Sequence, residues 1–139
     1  GIDGRKMSKS YNNIIPFLCS EKDLQKAVSK IVTNSLEPGE PKDCNNCNLY
    51  ELYSLFGNAE QIASFKQAYS DGISWGDAKK ELFTVINSEI IPIREKYFEL
   101  NAQPDLLNDL FADGARKVRP QAQELIEKLR DLVGISKIV

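Results

Sequence analysis

Histidine is absent from this 139-residue chain. That one gap excludes imidazole acid–base catalysis, Ser-His-Asp triads and ordinary histidine metal sites. No apolar run approaches the roughly 20 residues that a membrane span needs. No secretory leader precedes the first structured element. The expectation is a cytoplasmic location and no membrane partner. A basic excess is missing too: 18 Lys and Arg stand against 20 Asp and Glu, a net charge of −2. Proteins that bind nucleic acid without selectivity usually carry a strong positive charge, so any RNA contact here has to be local. Cysteine is scarce and odd in number, with only Cys19, Cys44 and Cys47. That count does not suit a disulfide framework. Cys44 and Cys47 have the spacing of half a zinc or iron–sulfur site, but a closed site needs four ligands. Only Cys19 is left to join them, so no metal is expected.

The remaining composition is that of a folded domain, with 42% apolar and 27% charged residues. The length is enough for one real hydrophobic core. The chain opens on Gly1 rather than Met and runs straight into a motif, so it reads as a piece of a longer protein. Residues 1–19 are punctuated by Gly1, Gly4, Asn12-Asn13 and Pro16, which leaves room for loops only. Ser20 with Asp23 forms a capping box ahead of Leu24, Ala27, Val28, Ile31 and Val32, the apolar face of a helix over Ser20–Thr33. Residues 34–47, NSLEPGEPKDCNNC, are too rich in Pro, Gly, Asn and Asp for anything but an exposed loop. Asn48 with Glu51 caps a short helix ending near Gly57. Asn58 caps a third that runs to about Tyr69, with Asp71-Gly72 as its stop.

Ser74 with Asp77 opens a longer helix whose apolar face is Ala78, Leu82, Val85, Ile86, Ile90, Ile93, Tyr97 and Leu100. Pro92 inside that pattern is expected to kink or split it. Pro104 suits the first turn of a fifth helix. Gly114 and Pro120 are expected to break that helix, and Gly134 to end it after Leu125, Ile126, Leu129, Leu132 and Val133. A short strand over residues 135–139 is the only period-2 segment. The fold class is therefore all-α: a helical bundle of about five helices preceded by a loop segment, with residues 1–19 separate from 20–139. Tyr50, Tyr53 and Phe56 share a core-facing stripe, and Trp75 in the first turn of its helix reads as a packing anchor.

Lys6-Met7-Ser8-Lys9-Ser10 carries the chemistry. Two lysines three apart, interleaved with two hydroxyls and flanked by Gly4 and Asn12-Asn13, suit a mobile loop that meets a polyphosphate. Lysine brings a compact charge with three donors. Serine hydroxyls and backbone N–H groups supply short donors to phosphate oxygens. Placed where charge builds on a leaving pyrophosphate, such donors lower the barrier more than they tighten substrate binding.

DGRKMSKSYNN resembles the KMSKS segment of the class I aminoacyl-tRNA synthetases, and GRKMSKSYNNIIPF resembles the tryptophanyl branch. The likeness continues through IVTNS, GEPKD, a Leu-Tyr-rich helix, DGISWGDAKKEL and EIIPIREKY, covering essentially the whole chain in order. It implies a tryptophan–tRNA ligase, which activates L-tryptophan with ATP and transfers it to tRNA(Trp). By position, Lys6, Met7, Ser8, Lys9 and Ser10 would contact ATP, with Lys9 and then Lys6 stabilising the phosphate charge. Residues 20–139 would be an anticodon-binding-type C-terminal domain. The basic stretch from Arg116 to Arg130 is then a candidate tRNA surface, with Arg116, Lys117 and Arg119 named first.

The family's other nucleotide motif requires histidine and is missing here, as is the tryptophan pocket. This chain alone is thus expected to be catalytically inactive. The whole enzyme would use ATP and Mg²⁺ and form a homodimer. Some members hold an iron–sulfur cluster on four cysteines; one falls near Cys47, but later ones fall around Trp75 and Ala78, which cannot ligate. Two alternatives remain: a tyrosyl-tRNA synthetase piece, and a helical interaction module with no nucleotide role.

Overall fold

The computed structural model describes residues 1–135. All regular structure among them is helical: a single 3₁₀ turn over Lys9–Tyr11, then α1 (Glu21–Ser29), α2 (Asn48–Phe56), α3 (Ala59–Ser70), α4 (Trp75–Asn101) and α5 (Pro104–Val133). The all-α, five-helix expectation holds. From residue 136 on, the expected terminal strand lies outside the described residues. The chain divides into two compact units, Gly1–Lys96 and Tyr97–Val139.

Three helix starts follow the local rules. The Ser20 hydroxyl accepts from the Asp23 N–H, and the Ser74 hydroxyl accepts from the Asp77 N–H. Asn58 and Gln61 form a reciprocal capping box. These bonds satisfy N–H groups that a helix end otherwise leaves unpaired. The start of α2 departs from expectation. Its N-cap is Cys47, with no side-chain cap, and Asn48 instead donates to the Gly1 carbonyl at 2.8 Å.

α1 stops at Ser29, short of Thr33, because Val32 gives its N–H to the Ile2 carbonyl at 2.8 Å and the chain leaves the helix to reach it. Val32 is consequently exposed, whereas Ile31 stays in the core. α4 is not split at Pro92, and α5 runs unbroken through Gly114 and Pro120. Strong helix formers on both sides of each breaker, such as Ala112, Ala115, Arg116, Ala122 and Glu124, outweigh a local cost of about 1 kcal/mol for glycine and 3 for proline. Gly134 ends α5 in the left-handed conformation, as expected.

The first unit packs around Leu24 and Val28 of α1, Leu49, Leu52 and Tyr53 of α2, Phe65 and Tyr69 of α3, and Ala78, Leu82, Val85, Ile86 and Ile90 of α4. Aromatic rings tie α2 to α3: Tyr53 stacks on Phe65 at 3.8 Å, and Tyr50 meets Tyr69 edge-on at 5.5 Å. Trp75 anchors the start of α4, edge-on to Tyr69 at 5.8 Å, with its ring N–H donated to Asn34.

The 34–47 loop has no regular structure, yet it is pinned. Gly39 donates to the Gly72 carbonyl at 2.8 Å, and Lys42 donates its backbone N–H to Tyr69 O at 2.9 Å. The buried Lys42 ammonium donates to the Glu37 and Glu40 carbonyls and lies 5.2 Å from the Trp75 ring centroid. Gly72 has φ +83°, and a Cβ there would collide with the Gly39 backbone. Glycine is therefore required at that turn on both counts. In the second unit α5 is amphipathic and has no buried residue.

Candidate functional site

The Lys6–Ser10 segment arches over one buried side chain. Asn13 is 1% exposed, although it sits in a polar stretch of the chain. Its carbonyl oxygen accepts the Ser8 backbone N–H at 2.8 Å. Its amide donates to the Asp3 carboxylate at 2.7 Å and to the Lys6 carbonyl at 3.2 Å. Its backbone carbonyl accepts from Ile2 N–H at 2.9 Å. One amide side chain thus holds the loop at Lys6 and Ser8 and ties it to Asp3, while the Asn13 backbone holds Ile2. The reversal that brings Asn13 under the loop is made at Asn12, whose φ of 51° is left-handed, a conformation asparagine tolerates better than most residues.

Asp3 is the second support. It accepts from Asn13, from the Arg5 backbone N–H at 3.1 Å and from the Arg5 guanidinium at 2.7 Å. The Asn13 amide first, and then Arg5, hold its carboxyl down from the ordinary 3.8 to about 2. Arg5 also lies over the Tyr11 ring at 4.7 Å, so its charge is committed to the base of the loop.

A depressed carboxylate pKa contributes stability that is present above the unfolded-state value and is lost as pH falls through the folded one. We expect the loop base to hold down to about pH 4 and to loosen as pH falls toward 2. Amide NMR of Ser8 against pH checks this. A midpoint at the ordinary carboxylate value would remove Asp3 from the support.

With Arg5 committed, the loop presents Lys6 and Lys9, both exposed and neither in an ion pair among the described residues. The Ser8 and Ser10 hydroxyls sit 2.8 Å apart between them. Met7 is 39% exposed. Two ammonium groups and two hydroxyls therefore project from a loop whose backbone is held from below, an arrangement suited to several phosphate oxygens at once.

A second cationic feature escaped the sequence reading. Lys22 and Lys26 of α1 and Lys79 and Lys80 of α4 line an open groove of about 570 Å³, with Gln25, Ser29 and Phe83. Lys26 pairs with Asp23 at 3.3 Å and Lys80 with Asp77 at 2.8 Å. The Lys79 ammonium donates to the Ser29 carbonyl at 3.0 Å, and burial pulls its pKa down. The signal in the sequence is the i, i+4 pair Lys22/Lys26, which shares a helix face, but only the fold sets it against the start of α4.

Comparison with known proteins decides the family. The profile described as tRNA synthetases class I (W and Y) matches residues 1–90. The chain belongs to the class I tRNA synthetases. This synthetase chain is 47% identical over 135 residues to the tryptophan–tRNA ligase of Neisseria meningitidis serogroup A, a match covering 97% of the chain and 40% of that relative. It is 45% identical over 138 residues to the tryptophan–tRNA ligase of Pseudomonas aeruginosa, covering 99% of the chain and 31% of that relative. The crystal structure of Campylobacter jejuni tryptophanyl-tRNA synthetase complexed with ADP and tryptophan superposes with a TM-score of 0.86 at 39% identity, over 96% of this chain and 42% of that one. The synthetase chain thus spans about two fifths or less of the relatives it matches.

The other residues singled out in this synthetase chain lie in the second unit. Arg116 and Lys117 are exposed on α5 and both reach Asp113, at 3.5 and 2.7 Å. Arg119 and Arg130 border an open groove of about 320 Å³ along the same helix. The three cysteines are free thiols.

Proposed function

We propose that this chain is the part of a tryptophan–tRNA ligase that grips the ATP phosphates and faces tRNA(Trp). The single observation that carries the reading is the Lys6–Ser10 loop, held by Asn13, with both lysine ammoniums free of carboxylate partners among the described residues. The family supplies the reaction. An amino-acid carboxylate attacks the α-phosphorus of ATP, the α–β bridging P–O bond breaks, and pyrophosphate leaves. Lys9, with Lys6 second, meets the charge that builds on the leaving group. Ser8, Ser10 and the backbone around Met7 donate to phosphate oxygens. Tryptophan is the amino acid by likeness to the named relatives.

Residues 1–19 belong with the catalytic fold and 20–139 form the tRNA-facing domain. Two surfaces are available to RNA phosphates: Arg116, Lys117 and Arg119 on α5, and the lysine groove between α1 and α4. Each is partly neutralised, Arg116 and Lys117 by Asp113, and Lys26 and Lys80 by Asp23 and Asp77. The ligase as a whole acts as a homodimer in the cytoplasm. Mg²⁺ would enter with the nucleotide. The loop offers cations and hydroxyls rather than a set of oxygen ligands, and no cluster of three or more metal-binding side chains occurs among the described residues. The residues present do not fit as its ligands, and no step is assigned to it.

Pyrophosphate exchange by the full-length gene product tests the reading. Exchange should depend on L-tryptophan and not on L-tyrosine. The reverse dependence would make it a tyrosyl enzyme, and exchange with neither would leave the interaction module.

A further inference from the structure

Cys44 and Cys47 take no part in the nucleotide loop or the lysine groove. Both are half-buried free thiols. Residues 45 and 46 form a turn, which places the two cysteines at its ends. The ends of such a turn approach to within about 7 Å between Cα atoms, against the ~4.4–6.8 Å that a disulfide spans. Asp43 braces the turn by accepting from the Asn45 backbone N–H at 2.9 Å and from its amide at 3.0 Å. The Cys47 sulfur lies 3.5 Å from the hydroxyl of Tyr69, a fully buried residue. Cys19 is engaged elsewhere, with its thiol donating to the Pro16 carbonyl at 3.2 Å.

We propose that Cys44 and Cys47 form a reversible dithiol–disulfide pair that exchanges with low-molecular-weight disulfides of the glutathione class. One cysteine thiolate attacks a sulfur of the small disulfide, forms a mixed disulfide and expels one small thiolate. The other cysteine, once deprotonated, attacks the protein sulfur of that mixed bond. This closes the Cys44–Cys47 bond and expels the second small thiolate. Two protein thiols are oxidised, one small disulfide is reduced to two thiols, and the two protons end on the expelled thiolates.

The Tyr69 contact makes ring closure tolerable. In the disulfide the Cys47 sulfur keeps its lone pairs, so the buried hydroxyl still has an acceptor. The pair also has a structural reach. Asn48, next in sequence, holds the Gly1 carbonyl, and the adjoining Ile2 is bonded to Asn13. A closed ring would therefore stiffen the anchor of the phosphate loop. Intracellular disulfides are commonly of this transient kind rather than structural staples.

The test is incubation of the full chain with oxidised glutathione, acid quench, alkylation, tryptic digestion and mass spectrometry. Both cysteines fall in the peptide 43–66, and Cys19 falls in 10–22. The expected product is peptide 43–66 lighter by two hydrogens and unalkylated, with Cys19 still alkylated and full reversal by dithiothreitol. Cys44→Ser and Cys47→Ser should each stop at the glutathione adduct. Persistent adducts on both cysteines of the unsubstituted chain, a bond from either to Cys19, or complete alkylation of 43–66 after exposure to excess oxidant would overturn the proposal. None of these outcomes depends on aminoacylation.

Discussion

Lys9→Ala in the full-length gene product should slow tryptophan-dependent pyrophosphate exchange by about 100- to 1,000-fold, or roughly 3–4 kcal/mol of transition-state stabilisation. The loss should fall on kcat rather than on KM for ATP. The Lys9 ammonium is exposed and has no carboxylate partner among the described residues, so its charge is not spent within the chain. A ground-state contact would raise KM and leave kcat unchanged, whereas a contact that forms as charge builds lowers kcat and kcat/KM together. Lys6→Ala should follow the same pattern with a smaller loss. Folding should be unaffected, because neither side chain has a structural partner among the described residues. A change in exchange of less than about threefold, under ~0.7 kcal/mol, would argue for a helical interaction module whose Lys/Ser loop is merely solvated.

What the sequence revealed was local, and what it hid was tertiary. The caps at Ser20, Asn58 and Ser74 are readable because donor and acceptor lie three residues apart and need no further fold. The five-residue loop motif is readable for the same reason. Asn48 looks like a cap by the identical rule, yet its amide goes to Gly1, 47 residues away. The end of α1 was likewise set by Ile2, far upstream. The α1–α4 groove joins lysines more than 50 residues apart, and nothing in either helix alone shows that they converge. Asn13 is the sharpest instance. In the sequence it is half of an Asn-Asn pair that marks a turn, and a polar residue in a loop is expected to face water. Its burial follows from Asn12 turning left-handed and folding the chain back over it.

Asn13→Ala should therefore act on both folding and chemistry. It leaves the Ser8 N–H and the Lys6 carbonyl without their partner and takes from the Asp3 carboxylate the bond that most lowers its pKa. Losing buried polar partners costs about 1–3 kcal/mol for each group left unpaired. A total loss of ~2–4 kcal/mol in urea-unfolding free energy is expected, since part of the loop base can rehydrate. A phosphate-gripping loop displaced by about 1 Å costs on the order of 100-fold in rate, so exchange should fall even where the variant remains folded.

Asn13→Asp separates the hydrogen-bond account from simple loss of volume. It keeps the shape but sets a second carboxylate against Asp3, and two such groups in contact share a proton. Unsubstituted protein loses its loop base as pH falls toward 2. The Asn13→Asp protein should instead gain stability as pH falls from neutrality through the raised pKa of the pair, because its unfolded chain binds fewer protons there than the folded one. Parallel unfolding curves at pH 7 and pH 5 measure this directly. If both variants lost stability equally at the two pH values, the network under the loop would be a packing feature and not an electrostatic one.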